Sequence, residues 1–220
     1  GSEMCIRDRD ERCLPQAGQS TWDTSTASRT YVNFVDILFA VVTGQSFTLL
    51  SPIGLHRECY SKPLENALTL AALFLIYVLV ITSWYFYHRS TARAEIRKPA
   101  RFTIDIVLLF LYYLAFLSAS DFTVIMNLLL AVFVGYSCWD GARVWEYYGD
   151  RNTNQTSKER FTSFKRSLGL TLLFTAILTC TLVTFWYLRP MLYGIYWAYW
   201  VILIVILGLY RWTKMRYAER

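Results

Sequence analysis

Six apolar stretches, each about as long as a helix needs to cross a hydrocarbon core, decide most of what this chain can fold into. They run 31–50, 66–87, 102–118, 122–142, 167–188 and 191–210. In lipid, a backbone can satisfy its own hydrogen bonds only as a helix or a closed barrel, and continuous apolar runs of this length predict helices. Composition agrees. Of the 220 residues, 55% are hydrophobic and 17% charged, against about 45–50% and about 25% in soluble domains. The expected fold class is all-α: a polytopic membrane protein with six transmembrane helices. Only "SASD" at 118–121 separates the third stretch from the fourth, and it reads as a tight hairpin. One long helix is the alternative, but it would carry Asp121 into mid-bilayer, where a carboxylate is costly.

The basic residues give the expected orientation. Arg7, Arg9, Arg12 and Arg29 precede the first stretch; five more, Arg89 to Arg101, lie between the second and third. Six, Arg143 to Arg166, lie between the fourth and fifth, and Arg211, Lys214, Arg216 and Arg220 follow the sixth. Of all 22 Lys and Arg, only Arg57, Lys62 and Arg189 fall on the other side. The positive-inside bias then puts both termini in the cytoplasm, with loops 89–101 and 148–166. A net charge of +6 on such loops calls for anionic membrane lipids as partners and for no nucleic acid. The expected location is a membrane, of the bacterial or archaeal plasma membrane type.

The opening "GS" is typical of an expression-tag scar, and "EMCIRDR" at 3–9 of translated sequencing-adapter sequence. Residues 1–28 are polar, with Pro15, Gly18 and a Ser/Thr cluster, and are expected to be disordered. Residues 29–212 would form the membrane domain and 213–220 a basic cytoplasmic tail. The first stretch is too long for a signal-peptide core and lacks a small-x-small cleavage site. Five cysteines without a CxxC pair give neither a disulfide framework nor a zinc site.

Ionisable groups inside membrane helices face protein or water by default. Asp36 lies about 8 Å into the first helix at 1.5 Å per residue. Trp84 and His88 share one face near the end of the second. Asp105 opens the third, and Asp140 and Arg143 close the fourth. With alternating helix directions all reach one depth, so a single buried network of Asp36, His88, Asp105, Asp140 and Arg143, with Trp84, is expected. Asp36 would bond His88 or Arg29. Aromatics at span ends, among them Tyr147 and Tyr148, read as the interfacial belt. Asn127 is expected to bond a neighbouring helix.

At about 100° per residue, Gln45 lies about 180° from Asp36, with Leu38 and Val41 beside it at about 200° and 140°. The first helix therefore has no wholly apolar side and is expected to be the central one, enclosed by protein or bordering water. Catalytic patterns are missing: no glycine-rich phosphate loop, no HExxH and no GxSxG. His56 and His88 fall on opposite sides and cannot share a metal within one subunit. The chain is expected to be no enzyme and to need no cofactor.

The segment "FVDILFAVVT" at 34–43 resembles the Phe-Ser-Asp signature that opens the first helix of the transmembrane protein 175 family. Phe34, Asp36, Phe39 and Ala40 match it; Val35 stands in place of its serine, and Arg29 lies one residue too far upstream of its arginine. "WYFYHR" at 84–89 supplies the Trp84 and His88 that end that family's second helix. The resemblance covers the first two spans, and the rest by topology. It implies a cation channel, potassium-permeable, in which the first helices of a homotetramer line a pore without a TVGYG-type filter. On that reading Leu38, Val41 and Gln45 line the pore, and Asp36 and His88 are scaffold behind it. A non-conducting anchor or sensor subunit working through its basic loops is the alternative. A proton-coupled transporter using Asp36 and His88 is weaker, because the chain shows no internal repeat and no Pro-broken span.

Overall fold

The computed structural model describes residues 24–55, 63–93, 99–149, 155–188 and 195–219. Among them six helices follow one another: α1 (Thr24–Leu55), α2 (Pro63–Arg93), α3 (Pro99–Leu117), α4 (Phe122–Glu146), α5 (Gln155–Leu188) and α6 (Ile195–Glu219). Five contain a segment long and apolar enough to cross a membrane: Ala67–Ala92, Pro99–Leu117, Phe122–Glu146, Gln155–Leu188 and Trp197–Arg216. The chain is an integral membrane protein. Its outer surface says the same, since Phe74, Phe110, Val183 and Val201 are all more than half exposed, and water does not tolerate so broad an apolar surface. α1 is as long as the others, but over its described side chains, residues 29–48, it falls outside that set. Asn33, Asp36 and Gln45 dilute its apolar run.

The turn at 118–121 is a hairpin. Asp121 is the N-cap of α4, its Oδ1 accepting from Thr123 N (2.9 Å) and Val124 N (3.2 Å). A capping carboxylate satisfies amides that have no partner inside the helix, which makes Asp121 a stop signal and not a mid-bilayer charge. Both ends of the expected membrane domain shift. α1 begins at Thr24, so residues 24–28 are helical and not disordered; residues 1–23 lie outside the described residues. The expected tail at 213–219 is the last part of α6. Most of the expected loop 148–166 is helix as well. α5 has 34 residues, about 51 Å at 1.5 Å each, well beyond a hydrocarbon core of about 30 Å. Its first turns fold back on the end of α4. Tyr147 meets Phe164 at 5.3 Å between ring centroids and Tyr148 meets Phe161 at 5.9 Å. Tyr147 is buried by this packing and is no belt residue, whereas Tyr148 stays more than half exposed.

α4 packs on both of its sequence neighbours, α3 and α5. α1 lies mainly against α3 and more lightly against α2, and α6 lies against α5 and α2. One core runs through all six, around Leu73, Ile76, Tyr112, Phe116, Ile125, Phe133 and Leu178. α3 and α4 approach closely at Gly135, where an added Cβ would stand 2.6 Å from Leu108 Cδ2 and 3.3 Å from its Cγ. Leu108 is buried and must shift toward the cavity it borders to admit the methyl. Gly135→Ala is therefore expected to cost about 1–3 kcal/mol through overpacking. Nothing lies within 4 Å of a Cβ built on Gly141 of the same helix, so Gly141→Ala should raise stability, by about 0.5–1 kcal/mol, through helix propensity alone. Thermal unfolding of both variants in detergent checks the contrast.

Candidate functional site

The polar residues gather at one end of the bundle, where α1, α3 and α5 begin and α2, α4 and α6 end. They form four groups instead of the single network expected.

The first joins α1 to α2. Asp36 Oδ1 accepts from His88 Nε2 (2.7 Å) and from Trp84 Nε1 (3.0 Å). Trp84 and His88 are four residues apart, one turn, and so reach the same oxygen. Their rings are edge to face at 4.7 Å. Arg29 is exposed and is no partner of Asp36. The Asp36 side chain is 34% exposed, so it sits at the margin of the bundle and is not buried among helices.

The second group ties α3 to α4. Arg101 Nη1 donates to Glu146 Oε2 at 2.9 Å, with side chains 0% and 1% exposed. The guanidinium lies over the Trp139 ring at 4.8 Å. Asp105, one turn further along α3, is buried. It lines a cavity of about 70 Å³ with Tyr87, Trp139, Arg211 and Lys214, and its Oδ2 has no hydrogen-bond partner among the described residues.

The third group is centred on Asp140. Its Oδ2 accepts from Lys214 Nζ (2.7 Å) and Thr171 Oγ1 (2.6 Å), and its Oδ1 from Ser167 Oγ (3.2 Å). One carboxylate of α4 thus fastens α5 and α6. Arg143, three residues on, turns elsewhere: its guanidinium lies 3.8 Å from the Phe164 ring centroid.

The fourth group holds Arg211, which is buried. It donates to Tyr136 Oη (2.9 Å), the Leu79 carbonyl (3.2 Å) and Ser83 Oγ. The Tyr136 hydroxyl also meets those of Ser83 and Tyr112, and Arg211 lies over the rings of Phe86, Tyr136 and Tyr210.

Arg101, Glu146, Lys214 and Arg211 escape a reading that counts basic residues as loop charge. Helical phase would have found most of them. The buried stripe of α6 runs Tyr199, Leu203, Ile206, Tyr210, and steps of one and four further give Arg211 and Lys214. On α3 the stripe Leu108, Tyr112, Ala115 runs back in the same spacing to Asp105 and Arg101. Asn127 departs from expectation too: its amide donates to Thr123 O of its own helix at 2.9 Å.

α1 lies at the edge of the bundle and not at its centre. Val35, Phe39, Val42 and Ser46 are buried and face the bundle, with Ser46 Oγ donating to Tyr77 Oη at 2.6 Å. The opposite side, Asn33, Ile37, Ala40, Val41, Gly44, Gln45 and Thr48, is exposed along its whole length. Of the three residues expected to share a face, Val41 and Gln45 are exposed, whereas Leu38 is half-buried and packs against the core. All three border an open groove of about 470 Å³ between α1 and α3, with Ile106, Leu109, Phe110 and Tyr113. The Gln45 side chain makes no hydrogen bond to a described residue. No family model, no curated protein and no solved structure matches this chain.

Proposed function

We propose that the chain is a subunit of a potassium-permeable cation channel, with α1 lining a pore at the axis of a homotetramer. α1 is then the sixth transmembrane span, and the end that carries the four polar groups is cytoplasmic, with both termini. The observation that carries this reading is the uncovered side of α1. It places Asn33, Gly44, Gln45 and Thr48 among Ile37, Ala40 and Val41. An amide turned to lipid would be left unsatisfied. A water path on the symmetry axis relieves that cost, and identical subunits supply the symmetry.

On this face Val41 of each copy makes an apolar constriction of the kind that gates by dewetting. Gln45, one turn or about 6 Å above it, makes a ring of amide oxygens that replace part of a cation's hydration shell. Ile37 takes the place on the pore face that Leu38, turned toward α3, does not. Asp36 is held to the side by Trp84 and His88 and fixes the rotation of α1 on α2. The resemblance of 34–43 and 84–89 to the transmembrane protein 175 family supports the same assignment.

Potassium flux into liposomes containing the purified protein, with particle symmetry measured on the same sample, tests the reading. The parent should conduct and show fourfold particles. Val41→Ser should raise the resting flux about tenfold by wetting the constriction. Gln45→Ala should alter the ratio of potassium to sodium flux with assembly intact. A monomer without flux would sink the channel and favour an anchor or sensor subunit.

A further inference from the structure

A pocket of about 90 Å³ opens at the same end of the bundle, where α2, α4 and α6 finish and α5 begins. Its polar lining is Arg89, Ser90, Arg143, Ser163, Ser167 and Lys214. Arg89, Arg143, Lys214 and three serine hydroxyls converge there, Lys214 and Ser167 already donating to Asp140 behind the wall, and among the described residues no acidic side chain lines it. Phe86, Trp139, Phe164 and Leu170 complete its walls.

We infer that this pocket binds a phosphate group. Guanidinium and ammonium groups with hydroxyl donors suit a tetrahedral anion that has many acceptor oxygens. Arg143 is held in place by the Phe164 and Trp139 rings at 3.8 and 5.6 Å, and Arg89 is tied to Tyr85 Oη at 3.2 Å. The positive charge is therefore pre-positioned. Ser90 is 8% exposed, and its hydroxyl has no hydrogen-bond partner among the described residues. A buried donor without a partner is costly, and a ligand oxygen would satisfy it. Asp140, the acceptor for Lys214, is not part of the lining and itself has a side chain only 1% exposed. Basic pockets between membrane helices are natural seats for phosphorylated headgroups. The phosphate could equally come from a soluble phosphoester. The inference is independent of the channel reading, because it uses none of the exposed residues of α1.

The probes are dioleoylphosphatidylglycerol, dioleoylphosphatidylcholine as the lipid without net charge, and glycerol 3-phosphate as the soluble ester. Each is titrated onto the full chain in a non-ionic detergent, with binding read by native mass spectrometry and by thermal shift. Phosphatidylglycerol is expected to bind at least tenfold more tightly than phosphatidylcholine. Glycerol 3-phosphate competing at similar concentration would identify a soluble ligand; failure to compete would identify a lipid headgroup held also through its chains. Arg89→Gln and Arg143→Gln should each weaken binding about fivefold, as loss of one cation at a membrane surface does. Ser163→Asp guards against a folding artefact. Ser163 is exposed, so the substitution brings a negative charge to the pocket without removing a buried group. It should weaken binding about tenfold while the ligand-free melting temperature stays as in the parent. Equal affinity for the two lipids, or undiminished binding by Ser163→Asp and both glutamine variants, would overturn the assignment.

Discussion

Arg101→Met should be among the most destabilising single substitutions in this protein, at about 3–5 kcal/mol, because it takes from the buried Glu146 carboxylate the guanidinium that lies 2.9 Å from it. Arg101 is the largest completely buried side chain among the described residues, and Glu146 beside it is nearly so. The two close the end of the α3–α4 hairpin opposite the turn capped by Asp121. Replacing a buried ion pair with apolar groups of similar volume is often neutral, whereas removing one partner is not. Arg101→Met with Glu146→Leu should therefore recover most of the loss. Arg101→Lys should recover only part of it, since an ammonium lacks the planar face that lies over Trp139. A double-mutant cycle by thermal unfolding in detergent measures the coupling. A loss below about 1 kcal/mol for Arg101→Met, the range of exposed pairs, would show that the pair is solvated.

Asp140→Leu should cost a similar amount by a different route. Lys214, Thr171 and Ser167 all donate to this one carboxylate, so its removal takes one polar tie to α4 from each of two helices and leaves an ammonium inside the bundle. Asp140→Asn keeps an acceptor for the hydroxyls and loses the charge that balances Lys214, and it should fall between Asp140→Leu and the parent. Asp140→Leu with Lys214→Met removes both charges and should regain most of the stability. The detachment also has a structural readout. In Asp140→Leu the junction of α5 and α6 with α4 should loosen first, so amide exchange should rise near Thr171 and Lys214 before it rises near Ile125 and Met126. Uniform acceleration would mean that the carboxylate acts on overall stability and not on that junction.

The helical class follows from sequence alone, because no soluble fold buries apolar runs of this length and lipid admits few alternatives to a helix. The hairpin at 118–121 is equally local: the chain must stop where a carboxylate can cap the next helix, and Asp121 does so. The pairing of Asp36 with His88 was within reach for the same reason. The one-turn spacing of Trp84 and His88 and the depth of Asp36 are set by helix geometry, and the antiparallel run of α1 and α2 brings them level.

Which helix faces which was not legible. Helix periodicity sets the angle between two side chains on one helix, but it does not set the rotation of that helix against its neighbours. Leu38, Val41 and Gln45 lie within about 60° of one another on α1, yet α3 covers Leu38 and leaves the other two exposed. The same gap hid the ion pairs. Asp105, Asp140 and Arg143 sit close in depth, and depth alone makes them one cluster. The tertiary packing instead pairs Asp140 with Lys214 of α6, turns Arg143 onto Phe164 of α5, and joins Arg101 to Glu146. Those partners lie between 21 and 74 residues apart in sequence, and only the order in which the helices pack decides which of them meet. A residue such as Arg211 looks from its position like loop charge at a membrane surface. It becomes a buried donor because the stripe it continues along α6 is the one that α2 and α4 enclose.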